Sequence, residues 1–174
     1  AAAPAPAPPA PAPAPALLYD DGTRISGLYI APSSIPGLDE PGLWTSKAIA
    51  PGGFIAIYTG RFVTESEHDR LSSAEQDAHT KYALAFKGNP ILVLPGEAPD
   101  MDIHPAAAAN EPPRGAEANA LVETQAVELD GVRYTFAALF ACAAGIPANT
   151  EVLWWYGAHY DVMRRAMNYE AGRA

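Results

Sequence analysis

The sequence predicts a mostly-β domain of short strands with two peripheral helices, which is an α+β fold. Its apolar runs are short and are separated by turns rich in proline and glycine. Strand-like and helix-like segments do not alternate as they would in a doubly wound parallel sheet, and no internal repeat is present. The 174 residues can bury one core but not a second core of similar size.

Residues 1–16 alternate alanine and proline almost throughout. Proline fixes φ and lacks an amide donor, so this segment is expected to be a polyproline-like extended chain. It would act as a spacer or as a ligand for a proline-binding module. We favour the spacer because the basic residues that usually orient such ligands are missing. The single folded domain is then expected to span residues 17–174.

The predicted strands are apolar segments bounded by turn residues. They are 26–31, Phe54–Tyr58, 82–86, Ile91–Leu94, 121–129, Val132–Ala141 and 152–155. Two pairs of these strands are expected to form hairpins, one across residues 87–90 and one across Asp130-Gly131, which favours a type I′ turn. The proline-rich stretch 95–120 is expected to be a loop.

Two helices are expected outside the strands. Thr64, followed three residues later by Glu67, forms a capping-box pattern, which predicts a helix that begins there and ends near Leu71 or Gln76. A C-terminal helix is expected over residues 159–169, ending before Gly172.

Composition restricts the classes of partner. The net charge of −9 argues against general nucleic-acid binding, which needs clustered Lys and Arg. It is compatible with a lysine-rich peptide partner, although an acidic balance is also an ordinary route to solubility. One cysteine, Cys142, excludes a disulfide framework, and the histidines lack metal-ligand spacing, so no metal site is expected. No apolar run is long enough to span a membrane and no signal peptide is evident, which predicts a soluble intracellular protein.

Four blocks of residues stand out by their order along the chain. They are Gly42-Leu43-Trp44, the 47–60 stretch ending in Tyr58-Thr59-Gly60, the pair Asn110 and Asn119, and the 151–157 segment ending in Tyr156-Gly157. In this order and at these separations, the blocks resemble the SET domain of protein lysine methyltransferases over residues 27–160.

The resemblance implies a SET-like fold of short strands in several small sheets, with a knot-like crossing near the C-terminus that Asn119 braces. It also implies S-adenosylmethionine as the cofactor. The residues implied to contact the cofactor are Gly42, Leu43, Trp44, Asn110, Glu111 and Tyr156. Tyr156 would be the catalytic tyrosine beside the transferred methyl group, and Tyr58 a second catalytic tyrosine lining the lysine channel. Val122 and Tyr160 would also line that channel.

We therefore expect an S-adenosylmethionine-dependent protein lysine N-methyltransferase that acts on a basic peptide such as a histone tail. This chemistry needs no acid–base constellation, because the sulfonium is already a good leaving group and the protein must align a deprotonated amine with it. A histone substrate would imply a nuclear location. Exposed apolar strand edges would favour a homodimer.

Four departures from the family pattern leave an alternative open. Glu111 stands where histidine is usual, Ala118 replaces a proline, Arg61 replaces a glutamate, and Val122 lies near the position of a channel tyrosine. The alternative is a catalytically impaired SET-like protein-binding module, in which the Glu111 carboxylate would repel the carboxylate end of the cofactor. A third hypothesis is an unrelated β-rich structural protein, such as a virion or scaffold component with a Pro/Ala arm.

Overall fold

The computed structural model describes residues 24–80, 82–85, 91–94, 96, 100–129 and 132–157. The expected spacer at 1–16, the expected helix at 159–169 and the channel residue Tyr160 lie outside these residues. The domain boundaries therefore stay predictions.

The described residues form nine β-strands, two α-helices and one 3₁₀ helix, which confirms the mostly-β class. The strands are β1 (Leu28–Pro32), β2 (Pro41–Thr45), β3 (Phe54–Tyr58), β4 (Arg61–Thr64), β5 (Leu84–Ala85), β6 (Ile91–Leu94), β7 (Ala120–Leu129), β8 (Val132–Ala141) and β9 (Thr150–Glu151). The helices are α1 (Glu65–His68), α2 (Ser73–Thr80) and the 3₁₀ helix Pro105–Ala108.

β1, β2 and β9 form an antiparallel sheet with β2 in the centre. Ile30 pairs with Leu43 on one side of β2, and Trp44 pairs with Glu151 on the other. The SET resemblance implies a turn at residues 42–44, but these residues form the middle of a strand. Gly42 lies inside this strand, where it allows a neighbouring side chain to approach closely and does not change the direction of the chain.

β3, β8 and β7 form a second antiparallel sheet with β8 in the centre. The β7–β8 hairpin pairs Ala120 with Ala141 at its open end and Leu129 with Val132 beside its turn. The predicted hairpin is thus confirmed to within one residue. Its turn residues 130–131 lie outside the described part of the chain.

β4, β6 and β5 form a third antiparallel sheet. The predicted pairing of the 82–86 and Ile91–Leu94 segments is confirmed as β5 against β6, with Leu84 opposite Val93. The sequence did not indicate that β4 would complete this sheet on the other side of β6.

Alanine supplies much of the principal core, which lies between the first two sheets and the 3₁₀ helix. Its alanines are Ala56, Ala106, Ala108, Ala109, Ala120, Ala137 and Ala141. They pack with larger side chains, among which Leu43, Ile55, Leu139 and Val152 are fully buried. Small side chains let the layers approach closely, and burial of the larger ones supplies most of the hydrophobic stabilisation.

The single helix expected from Thr64 to Leu71 or Gln76 is wrong in its extent. The Thr64–Glu67 capping box is present, but α1 ends at His68, and α2 begins after a second capping box formed by Ser72 and Glu75. Gln76 Nε2 donates to the carbonyls of His68, Asp69 and Leu71, so a side chain from α2 satisfies backbone acceptors at the end of α1.

Neither α-helix of the described residues reaches the length and hydropathy needed to cross a lipid bilayer.

The Thr64–Glu67 capping box makes the stability of the fold depend on pH. Hydrogen bonds from the Thr64 backbone N–H and hydroxyl, each 2.8 Å long, hold the pKa of Glu67 below its ordinary value of 4.5. A lowered folded-state pKa contributes stability above the unfolded pKa, and this contribution is lost as the pH falls through the folded value. We expect Glu67→Gln to reduce the free energy of unfolding at neutral pH, and the difference from wild type to shrink in acid.

Urea unfolding across a pH series measures this difference. Glu117→Gln, an exposed loop substitution, gives the background effect of removing one carboxylate. A wild-type minus Glu67→Gln difference that stays constant into acid would contradict the prediction.

Candidate functional site

The segment after β9, residues 152–156, passes between Asn110 and Ala120, which flank the loop of residues 111–118. We call this passage the crossing. Leu153 bridges Asn110 on one side and Trp154 bridges Ala120 on the other, both in parallel orientation. The Trp154 N–H donates to the Asn110 carbonyl at 3.0 Å, and the Ala120 N–H donates to the Leu153 carbonyl at 2.9 Å. The strand predicted at 152–155 is therefore replaced by the two-residue β9 followed by single bridges, because the chain changes partners after Glu151.

Asn119 holds this crossing with its side chain as well as its backbone. Its Nδ2 donates to the Glu151 carbonyl, and its Oδ1 accepts from the Leu153 N–H, both at 2.8 Å. Its backbone carbonyl accepts from the Cys142 N–H at 2.8 Å. The asparagine amide thus occupies the place of a neighbouring strand beside residues 151–153.

Tyr156 lies at the end of the crossing and is half-buried. Its hydroxyl donates to the Ala109 carbonyl at 2.9 Å, and the same carbonyl accepts from Trp154 Nε1 at 3.0 Å. The two aromatic rings are in contact, with centroids 4.7 Å apart and an interplanar angle of 48°. The Tyr156 N–H donates to Glu111 Oε1 at 3.2 Å. The phenol is consequently held in one orientation by residues 109–111.

Glu151 carries a buried carboxylate that sequence analysis did not select. The residue is 2 % exposed, and its two carboxylate oxygens accept four hydrogen bonds. Oε1 accepts from Ser33 Oγ at 2.8 Å and from Asn110 Nδ2 at 3.1 Å, and Oε2 accepts from the Ser34 N–H at 2.7 Å and Ser34 Oγ at 2.6 Å. Buried carboxylates are tolerated only with such compensation. The available sequence signal was a charged residue directly before the apolar run 152–155.

Gly42 and Asn110 both face this carboxylate. A Cβ built on Gly42 would overlap Glu151 Oε1 and lie 2.8 Å from its Cδ, so a side chain at residue 42 would force the carboxylate out of its present position. Asn110 is 8 % exposed, and its amide donates to Glu151 Oε1 and to the Pro41 carbonyl at 3.0 Å. The two residues expected to contact a cofactor are therefore gathered around an internal side chain.

Leu43 and Trp44 have different environments. Leu43 is fully buried in the core. Trp44 is half-buried, and its ring stacks on Tyr29 with centroids 6.3 Å apart. Among the described residues, the buried Nε1–H of Trp44 has no hydrogen-bond acceptor. An unpaired buried donor costs about 1–3 kcal/mol, a cost that a bound ligand could remove.

Tyr58 and Val122 are the expected channel residues that the structure describes, and both belong to or pack against the core cluster that Tyr156 also packs against. Tyr58 is 5 % exposed, and its hydroxyl donates to the Tyr82 carbonyl at 2.6 Å. Val122 is half-buried and packs against the edge of the core. Tyr58 is therefore a core residue whose hydroxyl binds the chain two residues before β5, whereas Tyr156 is only half-buried.

A scan against protein-family models finds no match to this chain, and a search of curated protein sequences finds none either.

The contact between Gly42 and Glu151 predicts an unusual response to a small substitution. In an unobstructed strand, glycine to alanine stabilises by roughly 0.5–1 kcal/mol. We expect Gly42→Ala instead to lower the free energy of unfolding by about 2–3 kcal/mol, because the new methyl group displaces the buried carboxylate. Urea unfolding measures the change, and Pro41→Ala, an exposed change in the same strand, is the control. A stabilised Gly42→Ala protein would contradict the packing described here.

The burial of Tyr58 predicts how it titrates. Burial, and to a smaller extent the nearby Tyr82, raises the pKa of Tyr58 well above its ordinary value of 10.0. The stability linked to the neutral phenol is present below the unfolded pKa and is lost as the pH rises through the folded value. In an alkaline titration followed by phenolate absorbance, we expect wild type and Tyr58→Phe to coincide until the protein unfolds. A phenolate near pH 10 that Tyr58→Phe removes would show that the residue is solvated.

Proposed function

We propose that this chain is an S-adenosylmethionine-dependent protein lysine N-methyltransferase of the SET type. The observation that carries the proposal is the Tyr156 phenol, half-buried and held at 2.9 Å by the Ala109 carbonyl at the end of the last extended segment. A phenol turned to bulk water or sealed in the core would not support this chemistry. The passage of that segment between Asn110 and Asn119 supports the knot-like crossing that the SET resemblance implies.

The Tyr156 phenol suits the alignment of a lysine amine. Its proton is donated to the Ala109 carbonyl, and a phenol oxygen that donates can still accept a hydrogen bond. The oxygen could therefore accept an N–H of the substrate and orient the nitrogen lone pair. Partial burial beside Trp154 disfavours a charged ammonium, which would lower the pKa of the substrate lysine and favour its nucleophilic form.

S-adenosylmethionine would supply an electrophilic methyl group carried on a sulfonium. In this proposal Tyr156 adjoins the methyl-bearing end, and the half-buried ring of Trp44 forms part of the wall of the cofactor site. Leu43, Gly42 and Asn110 are directed to the core or to Glu151, so in this proposal they shape the site rather than contact the cofactor with their side chains.

The proposed substrate is a lysine-containing basic protein or peptide, with a histone tail as one candidate. The net charge of −9 would attract such a partner, and neither direct nucleic-acid binding nor membrane association is part of the proposal. We propose an intracellular location, nuclear for a histone substrate, and a homodimer as the assembly to test first.

Two contacts favour a second candidate, a SET-like binding module without activity. The Glu111 carboxylate lies beside the Tyr156 backbone, where it adds negative charge near the proposed site. The Tyr58 hydroxyl donates to the Tyr82 carbonyl, which leaves the proposed channel with fewer hydroxyl groups. Both features weaken catalysis without weakening the fold.

Isothermal titration with S-adenosylhomocysteine separates the two candidates. Heat of binding by the folded wild-type protein supports the enzyme, whereas no heat at high micromolar ligand selects the binding module. Mass spectrometry of a histone mixture, incubated with the protein and a labelled methyl donor, then identifies any methylated lysine.

Removing only the Tyr156 hydroxyl should affect turnover more than cofactor binding. We expect Tyr156→Phe to lower kcat roughly 5- to 150-fold, the equivalent of about 1–3 kcal/mol for a lost hydrogen bond, while the Kd for S-adenosylhomocysteine changes less than about twofold. Tyr29→Phe, which removes a hydroxyl but keeps the ring that stacks on Trp44, is the matched control. Equal losses of turnover and cofactor affinity in Tyr156→Phe would contradict the assigned role.

A further inference from the structure

We infer that Glu151 is the positioning residue of this site: its buried carboxylate sets where the Ala109 carbonyl holds the Tyr156 phenol. The effect on turnover rests on the proposed function, but the structural part of the inference does not. No block of the SET resemblance assigned a role to Glu151.

The carboxylate joins segments that are far apart in the sequence. Its partners are Ser33 and Ser34 after β1, Asn110 before the 111–118 loop, and the Cβ-free face of Gly42 in β2. The serines lie 117 and 118 residues from Glu151, and Asn110 lies 41 residues away. The Glu151 side chain thus fixes the distances between three segments that no local interaction would bring together.

The connection from Glu151 to the phenol is short and continuous. Glu151 binds the Asn110 amide, and the preceding residue, Ala109, supplies the carbonyl that accepts from both Tyr156 and Trp154. The Asn110 carbonyl accepts from the Trp154 N–H. Glu151 and Tyr156 therefore both form hydrogen bonds with residues 109–111. A displacement of this stretch caused at Glu151 would displace the Tyr156 phenol as well.

The hydrogen-bond donors around residue 151 require a carboxylate rather than an amide at this position. Asn110 Nδ2 and the Ser34 N–H are fixed donors, one on each carboxylate oxygen. A glutamine at 151 would point its own NH₂ group at one of them in either orientation of the amide. Two opposed donors in a buried site must separate, because neither can accept.

Glu151→Gln tests the inference with two kinds of measurement. In the folded variant we expect kcat to fall at least about tenfold with the peptide KM within about twofold, since small displacements of a catalytic group cost rate rather than binding. We also expect hydrogen exchange of the Trp154 indole N–H, which donates to the Ala109 carbonyl, to accelerate by about tenfold or more at unchanged two-state unfolding behaviour. The exchange is followed by NMR, and Trp154→Phe identifies the Trp154 signal among those of the three indole N–H groups.

Ser34→Ala is the second variant, because Glu151→Gln can prevent folding. It removes one of the four donors at an exposed residue, and we expect changes in the same direction but smaller. Glu117→Gln, an exposed charge removal in the loop, should leave both readouts at their wild-type values.

The outcomes separate the inference from the proposed function. Wild-type indole exchange in both folded variants overturns the inference, whatever the activity. Faster indole exchange with unchanged kcat also overturns it, because the carboxylate would then hold the fold but not the reacting geometry. A wild-type protein without cofactor binding or turnover sinks the proposed function alone, and the indole exchange still decides whether Glu151 positions residues 109–111.

Discussion

The buried carboxylate of Glu151 is the constraint on which the other features of this region depend. A carboxylate that is 2 % exposed is tolerated because four neutral donors surround it, and those donors can converge only if the segment after β1 and the Asn110 segment meet at β9. Gly42 follows from the same requirement, since any side chain there would occupy the space of the carboxylate. The sheet of β1, β2 and β9 therefore has a polar contact at Glu151 in addition to the alanine-rich core that it shares with the second sheet.

The residues around Tyr156 connect this polar contact to the proposed chemistry. One carbonyl, that of Ala109, accepts from both the phenol and the Trp154 indole, so the aromatic pair is oriented by backbone rather than by a charged group. A site of this kind can align an amine and exclude water without a general base or a metal. The same contacts also fit the non-catalytic alternative, because a rigid aromatic group at the end of a β segment can equally well bind another protein.

Local sequence patterns predicted most of the secondary structure. The Phe54–Tyr58 strand, the β7–β8 hairpin and the Thr64–Glu67 cap each depend on neighbours within a few residues, so their signals are complete in a short window. The second helix was missed because the Ser72–Glu75 cap directly follows the first helix, and the two patterns merge.

The candidate site was less predictable because its contacts are long-range. Family resemblance selected Tyr156, Asn110 and Asn119, which the structure does bring to one crossing. It also selected Tyr58, whose hydroxyl bonds the carbonyl of Tyr82, 24 residues along the chain. Glu151 was missed for the same reason: its partners lie up to 118 residues away, and the apolar run that follows it does not indicate them.

The crossing of the last segment between residues 110 and 120 also determines when folding can finish. Contacts between β9 and β2 close a long loop of chain. Such loops close slowly, because the chain loses conformational entropy before the contacts that stabilise the closed form are made. During synthesis, β1 and β2 would emerge from the ribosome well before Glu151, with the Ser33, Ser34 and Asn110 donors still bound to water. The first sheet of the nascent chain thus stays incomplete until β9 has been synthesised.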